Sequence, residues 1–412
     1  MPDFAKALRG LAGGARRPEA AASGSWESQL AQYVMSGLSP RSVLPPGEIR
    51  SNLSGSHYFI HTTYPDDYFH GKVRLSRLSS ADLECLVKLM REKACVPRRD
   101  RIIFLDTETT GVQGGAGICP FLVGLGYFAG DDFHMIQYFI RDFDEEPSML
   151  FALGELLRQF EMVITYNGAA FDIPLLETRF TLGRMDSPFQ AMSHFDLLFT
   201  ARRLWRNGHG SCRLVALERE MLSFLRGPDV PGSMIPREYF DYLQRRPGPV
   251  FRSIFTHNVQ DVVSLAALTV HACDRVTLEP AALDDPLDLY SLARVLEASE
   301  HWRRSIRVYE MCLDGGVPGP MRQKVLENLA VVYRRAGDYE RALDVCAELM
   351  RCPEFSMVGY QVAAIYYERI ARDYERALRV LEDGLSRTGS KRWRTLLQAR
   401  WDRLQQKVLV YE

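Results

Sequence analysis

The sequence predicts a mixed α/β domain followed by an all-α region of repeated helix pairs. Short apolar runs alternate with helical periodicity between Arg101 and Cys273, strand patterning ends beyond Asp284, and a self-similar spacing appears near the C-terminus. A chain of 412 residues and 47.0 kDa exceeds one typical domain. With 46% hydrophobic and 25% charged residues, its composition excludes fibrous and wholly disordered classes.

Residues 1–25 are small, polar and aperiodic, which predicts a disordered tail. Residues 26–99 hold short apolar pieces such as HYFIHTTYP and read as an accessory segment before the main domain. Within it, Ser80 can cap a helix whose Leu83, Val87 and Met90 share a face. From Arg101 the run IIFL predicts a strand buried on both faces. FLVGLGYFA and FHMIQYFI follow, parted by a Gly130-Asp131-Asp132 turn, so that three strands form an antiparallel meander. A helical pattern over 145–160, the strand MVITY and later helical stretches near 214–225, 238–246 and 250–273 complete an α/β domain over 100–275.

Residues 284–412 carry the repeat. GDYERALDVCAEL and RDYERALRVLEDGL align Tyr339 with Tyr374 and Ala342 with Ala377, and a weaker copy places Trp302 upstream. This period resembles the tetratricopeptide repeat, in which paired helices stack into a solenoid. The segment SKRWRTLLQARWDRLQQK is predicted as its terminal capping helix.

Candidate chemistry lies in DTETTG, YNGAAFDIPLL and HNVQDVVSL. Asp106 and Glu108, two apart on a strand, project from one face, and a carboxylate pair there repels unless a cation neutralises it. Asp172 opens a helix after a Gly-containing turn, where capping is its alternative role. His257 and Asp261, four apart, share a helix face, and a solvated pair is the plainer alternative.

Taken in order, these acids are similar to the DEDD family of 3'-5' exonucleases. That resemblance covers roughly residues 100–273 and implies a ribonuclease H-like fold, a mixed sheet flanked by helices. It implies four carboxylates holding two divalent cations, Mg²⁺ or Mn²⁺, which suit hard oxygen ligands. Asp106 would bridge both ions, Glu108 and Asp261 would complete one site, and Asp172 would support the other. His257 would orient or deprotonate the attacking water. The spacing departs from the commonest family patterns, since His257 stands four residues before Asp261 and Thr256 five before it.

Beyond the motifs, GGAG, FLVGLG, QYF, DLLFTARRLW and DVPGSMIP resemble the YprB-like ribonuclease H-like proteins of bacteria, which also carry tetratricopeptide repeats. The implied function is a metal-dependent 3'-5' exonuclease acting on single-stranded DNA or RNA, with the repeats docking a protein partner. A non-catalytic scaffold with a vestigial nuclease fold is the rival reading. DNA and RNA are not distinguished, because no motif encodes contacts to the 2'-hydroxyl.

Asp196 in HFDLL is a fifth candidate acid, placed after a predicted loop where it can come near the metals, with a buried or capping Asp as the alternative. Arginines outnumber lysines 44 to 7. The groups Arg98/Arg99/Arg101, Arg202/Arg203/Arg206 with Trp205, and Lys391/Arg392/Arg394 with Trp393 are possible phosphate contacts or ordinary solvated faces. A net charge of −1 excludes a globally basic surface. The 8 cysteines form no C-x-x-C pair, which predicts free thiols. With no signal peptide and no apolar run long enough to cross a membrane, a cytoplasmic setting is expected.

Overall fold

The computed structural model of the chain describes residues 43–79, 83–90, 96–111, 117–227, 229–277, 280, 283 and 285–411. The predicted tail, the proposed Ser80 cap, most of GGAG and Asp284 lie outside the described residues. Two compact units result, one holding the described residues through Arg202 together with His209–Thr277, the other holding Arg203–Gly208 and the chain beyond Thr277.

The first unit is built on a sheet of β1 (Glu48–Asn52), β2 (Gly55–Tyr64), β5 (Ile102–Thr109), β6 (Pro120–Ala129), β7 (Asp132–Phe139), β8 (Met162–Thr165) and β9 (Ser193–Asp196). A separate two-residue ladder joins β3 (Phe69–His70) and β4 (Val73–Arg74). The order in the main sheet is β1-β2-β7-β6-β5-β8-β9, with β5-β8 and β8-β9 parallel and the remaining pairs antiparallel. Its centre, β5, is the expected apolar run: Ile102 to Leu105 are all 0% exposed. β5, β6 and β7 form the predicted meander, with Gly130 at φ +64° in the turn that needs the left-handed region.

Two sequence expectations change here. The stretch read as an accessory segment supplies β1 and β2, because β2 pairs with β7 from Tyr58↔Phe139 to Tyr64↔Phe133. The short strand β9, which carries Asp196 and for which no strand was expected, pairs with β8. Four residues are too few to show a period.

Around the sheet lie α1 (Glu84–Leu89), α2 (Glu146–Leu157), α3 (Asp172–Leu182), α4 (Leu197–Leu204), α5 (Ile235–Leu243) and the long α6 (Phe251–Thr277). In α1 the buried residues are Cys85, Leu86 and Leu89, whereas Leu83 and Met90, on the predicted face, are partly exposed. Cys85 and Cys273 form a disulfide across 188 residues, with Cα atoms 5.5 Å apart. This corrects the expectation of free thiols for that pair. Spacing along the chain carries no sign of it, because only packing of α1 near the end of α6 brings the two together.

Helix α6 packs on β5 and β6, and two glycines permit the close approach. A Cβ on Gly124 would stand 2.2 Å from Asn258 Oδ1, and one on Gly126 would stand 2.7 Å from Val262. The FLVGLG strand therefore marks where α6 meets the sheet.

The second unit contains helix pairs α7 (Pro286–Ala298) with α8 (Trp302–Asp314), α9 (Gly319–Ala336) with α10 (Tyr339–Arg351), and α11 (Met357–Arg369) with α12 (Tyr374–Arg387), then α13 (Lys391–Tyr411). Asp338 and Asp373 cap α10 and α12 by accepting from Arg341 N–H and Arg376 N–H. The aligned alanines Ala342 and Ala377 are 2% and 0% exposed. Gly384 lets α12 approach Tyr360, which a Cβ would meet at 3.0 Å. Among the described residues no helix is long and apolar enough to cross a membrane.

Candidate active site

Strand β5 runs past the end of its parallel partner: pairing with β8 ends at Phe104↔Ile164, while pairing with β6 continues through Glu108↔Leu122 to a bulge before Thr109. The overhang carries Asp106, Thr107 and Glu108 with one strand edge open. Asp172, first residue of α3, fills that edge by accepting from Thr107 N–H at 3.1 Å and Thr107 Oγ1–H at 2.5 Å. Its carboxylate thus engages β5, and no side chain caps α3.

The preceding turn is fixed by Asp196. It accepts from Asn167 N–H (2.8 Å), Ala169 N–H (3.1 Å) and Leu198 N–H (3.0 Å), and is 6% exposed. With Asn167 at φ +66°, the turn needs this anchor to hold a non-glycine residue in the left-handed region. Asp196 is therefore spent on the backbone that presents Asp172.

Helix α6 supplies the opposite side. Asn258, 0% exposed, donates to Asp106 Oδ2 at 2.9 Å and to its carbonyl at 3.2 Å, while its own Oδ1 accepts from Gln137 at 2.9 Å. Gln137, from the QYF strand, also donates to Phe255 O at 2.9 Å, so the buried amides satisfy one another. One residue earlier on the same helix, His257 Nε2 lies 3.9 Å from Glu108 Oε1 and 3.6 Å from Asp261 Oδ2. Its Nδ1 donates to Asp229 Oδ1 at 2.7 Å, which fixes the tautomer and turns Nε2 toward the acids.

Asp106, Glu108, Asp172 and Asp261 lie close enough to act on one another electrostatically. Burial, then the charges of Asp261 and Asp172, push the Asp106 carboxyl well above the usual range, and burial followed by Asp106 does the same to Glu108. Burial raises Asp172 to about 6 even though the Thr107 hydrogen bonds oppose it. For His257, burial disfavours the charged ring, but the Asp229 hydrogen bond and the Asp261 charge outweigh it and raise its pKa.

Sequence reasoning missed Arg226. Its side chain is 5% exposed, pairs with fully buried Glu218 at 2.6 Å and with Asp229 at 3.1 Å, and donates to Asp261. Glu218 stands at the start of a π-helical turn, Glu218–Leu222, a local irregularity frequent at functional sites. Asp229 opens the DVPGSMIP segment, and Asn258 lies within HNVQD. Neither residue has a periodic signal, because each matters through partners more than 20 positions away. Among the described residues, no three His, Cys, Asp or Glu side chains already surround one ion position. Asp261 is turned to Arg226, and single oxygens of Asp106 and Asp172 are engaged by Asn258 and Thr107.

Arg98 pairs with Asp100 and Arg99 with Asp131, and Arg101 donates to Gln159 O, all at the start of β5. Trp205 is 1% exposed, which removes it as a base-stacking platform. Arg392 lies over the partly buried Trp393 ring, 5.1 Å from its centroid.

Comparison with known proteins agrees with this architecture. A family model described as RNase_H superfamily matches residues 103–273, and one described as Tetratricopeptide repeat matches residues 325–352. The chain is 29% identical over 292 residues to "Uncharacterized protein YprB" of Bacillus subtilis (strain 168), covering 70% of each chain.

Proposed function

We propose, from the premise that residues 103–273 form a ribonuclease H superfamily domain, that the protein is a metal-dependent nuclease working as a 3'-5' exonuclease on single-stranded nucleic acid. The observation carrying this reading is the convergence of Asp106 and Glu108 from β5, Asp172 from α3 and Asp261 from α6 on one group of mutually repelling carboxylates. Such a surplus of hard oxygen donors fits Mg²⁺ or Mn²⁺. Asp106, Glu108 and Asp172 would hold the ion. Bound there, it supplies stabilisation of the charge developing on the phosphate and activation of water.

The chain's own residues do the rest. Thr107 and Asn258 orient Asp172 and Asp106, and Asp196 fixes the turn that delivers Asp172. His257, held by Asp229 at Nδ1, presents Nε2 to take the proton of the attacking water. The two-cation arrangement implied by the resemblance places one ion at Asp261, the carboxylate that here pairs with Arg226.

The helical repeats, within the proposed division at 100–275 and 284–412, would dock a protein partner. Their 21 Lys plus Arg against 20 Asp plus Glu from Asp284 onward are a poor match for non-specific phosphate binding. A cytoplasmic setting is proposed with this reading. The engagement of Asp261 by Arg226 favours the rival, a non-catalytic scaffold.

Oligonucleotides labelled at the 5' end test the finer claims. The reading expects stepwise shortening of single strands from the 3' end, little action on blunt duplex, and arrest by a blocked 3' terminus. Cleavage of a circular strand at an equal rate would contradict exonucleolytic action. Parallel DNA and RNA substrates identify the sugar preferred.

A further inference from the structure

Arg226 sits in surroundings that fix it. Its Nε and Nη2 each donate at 2.6 Å to Glu218, whose side chain is 0% exposed. That bidentate pair anchors the guanidinium whatever its other partners do, since an uncompensated buried carboxylate is strongly destabilising. From the anchor, Nη1 donates to Asp229 Oδ2 at 3.1 Å, and Nη2 donates to Asp261 Oδ1. Arginine does not lose its proton in a protein, so this positive charge is permanent.

A two-cation site requires the Asp261 carboxylate on an ion, yet a fixed cation already occupies that carboxylate. By contrast, among the described residues no lysine or arginine is paired directly with Asp106, Glu108 or Asp172, and Arg226 acts on Asp106 only through its charge at longer range. Direct charge pairing is therefore built in at the α6 side and not at the β5 side. We propose that Arg226 stands in place of one of the two cations, so that the site takes up a single divalent ion through Asp106, Glu108 and Asp172. Asp261 is then a positioning residue for the guanidinium and no metal ligand. The same fork holds Asp229 against His257, which ties the orientation of the imidazole to the built-in charge. This inference rests on reading the acid cluster as a metal-dependent nuclease site.

The test is Mn²⁺ binding to the full-length protein, followed by the electron paramagnetic resonance of the free ion. Wild type is expected to bind one ion per chain. Asp106→Asn should weaken that binding by at least about 10-fold, while Asp261→Asn should change it by less than about 3-fold. Glu218→Gln combined with Arg226→Gln, which exchanges the ion pair for two amides, should open a second Mn²⁺ site. If that variant fails to fold, the near-isosteric Asp261→Asn still decides. Loss of affinity in Asp261→Asn equal to that in Asp106→Asn, or two ions in wild type, overturns the inference and leaves the nuclease reading standing. No Mn²⁺ bound to wild type overturns both.

Discussion

Two buried charge clusters in this protein are near mirror images. In the α/β unit, Arg226 is ringed by the carboxylates of Glu218, Asp229 and Asp261. In the repeat unit, Glu368, with a side chain 2% exposed, accepts from Arg400, Arg403 and Lys407 of α13. The difference lies in where the excess charge goes. Arg403 and Lys407 are 51% and 44% exposed, so water solvates their surplus, and the cluster simply ties the last helix to its neighbour. Around Arg226 the surplus is negative and continues into Asp106, Glu108 and Asp172, which burial raises above the usual carboxylate range. An excess that faces water is solvated, and an excess held away from water marks a candidate functional site.

The largest contrast is in activity. Asp106→Asn should lower hydrolysis by roughly 10³-fold or more, since several kcal/mol of charge stabilisation depends on the ion it holds. Its folding should be kept or improved, because a repelling buried charge is removed. Glu368→Gln should leave the rate unchanged. Equal losses in the two variants would dissolve the distinction.

Stability should divide the clusters in the opposite sense. Arg226→Met leaves Glu218 uncompensated and should cost roughly 3–5 kcal/mol in chemical denaturation. Glu368→Gln leaves two cations that water can reach, Arg403 and Lys407, and one largely buried, Arg400, whose amide partner can still accept, and should cost roughly 1–3 kcal/mol.

An intermediate effect is expected at Asp229→Asn, which loosens the His257 ring and removes a charge that acts on Glu108 only as the last and smallest of the named causes of its raised pKa. Turnover should fall roughly 10- to 100-fold with Mn²⁺ affinity nearly kept. A drop in affinity matching the drop in rate would make Asp229 part of the ion's own surroundings.

The smallest effect is a pH dependence in the repeat unit. Burial alone would raise the Glu368 carboxyl, but hydrogen bonds from Lys407 and Arg400 outweigh it and hold the group below its ordinary 4.5. A depressed carboxylate contributes stability that is present above its unfolded value and fades as pH falls through the folded one. The stability difference between wild type and Glu368→Gln should therefore shrink on acidification below about pH 4.5. A difference that grows there would reverse the assignment.

The same contrast explains what could be read from the chain. The repeats were legible because each helix pair is coded locally: Tyr339 and Tyr374, Ala342 and Ala377 recur at matched positions, and their caps lie within three residues. Strand β5 was legible because its run IIFL is buried on both faces. The acids stood out as an ordered set, and the structure adds what each carboxylate touches. Arg226, Asp229 and Asn258 were illegible as site residues, since each acquires its role from partners distant in sequence: Asn258 meets Asp106 across 152 positions. The Cys85–Cys273 bond, spanning 188 residues, escaped for the same reason, whereas strand β9 escaped because four residues are too few to show a period.

Metal-dependent phosphodiester hydrolysis at the acid cluster is tested most directly by incubating the full-length protein and its Asp106→Asn variant with a 5'-labelled single strand, with chelator alone or with Mn²⁺. Hydrolysis by wild type is expected only when Mn²⁺ is present, and is expected to be lost in the variant. Hydrolysis by Asp106→Asn at the wild-type rate, or inertness of wild type toward both DNA and RNA in Mn²⁺, would contradict it.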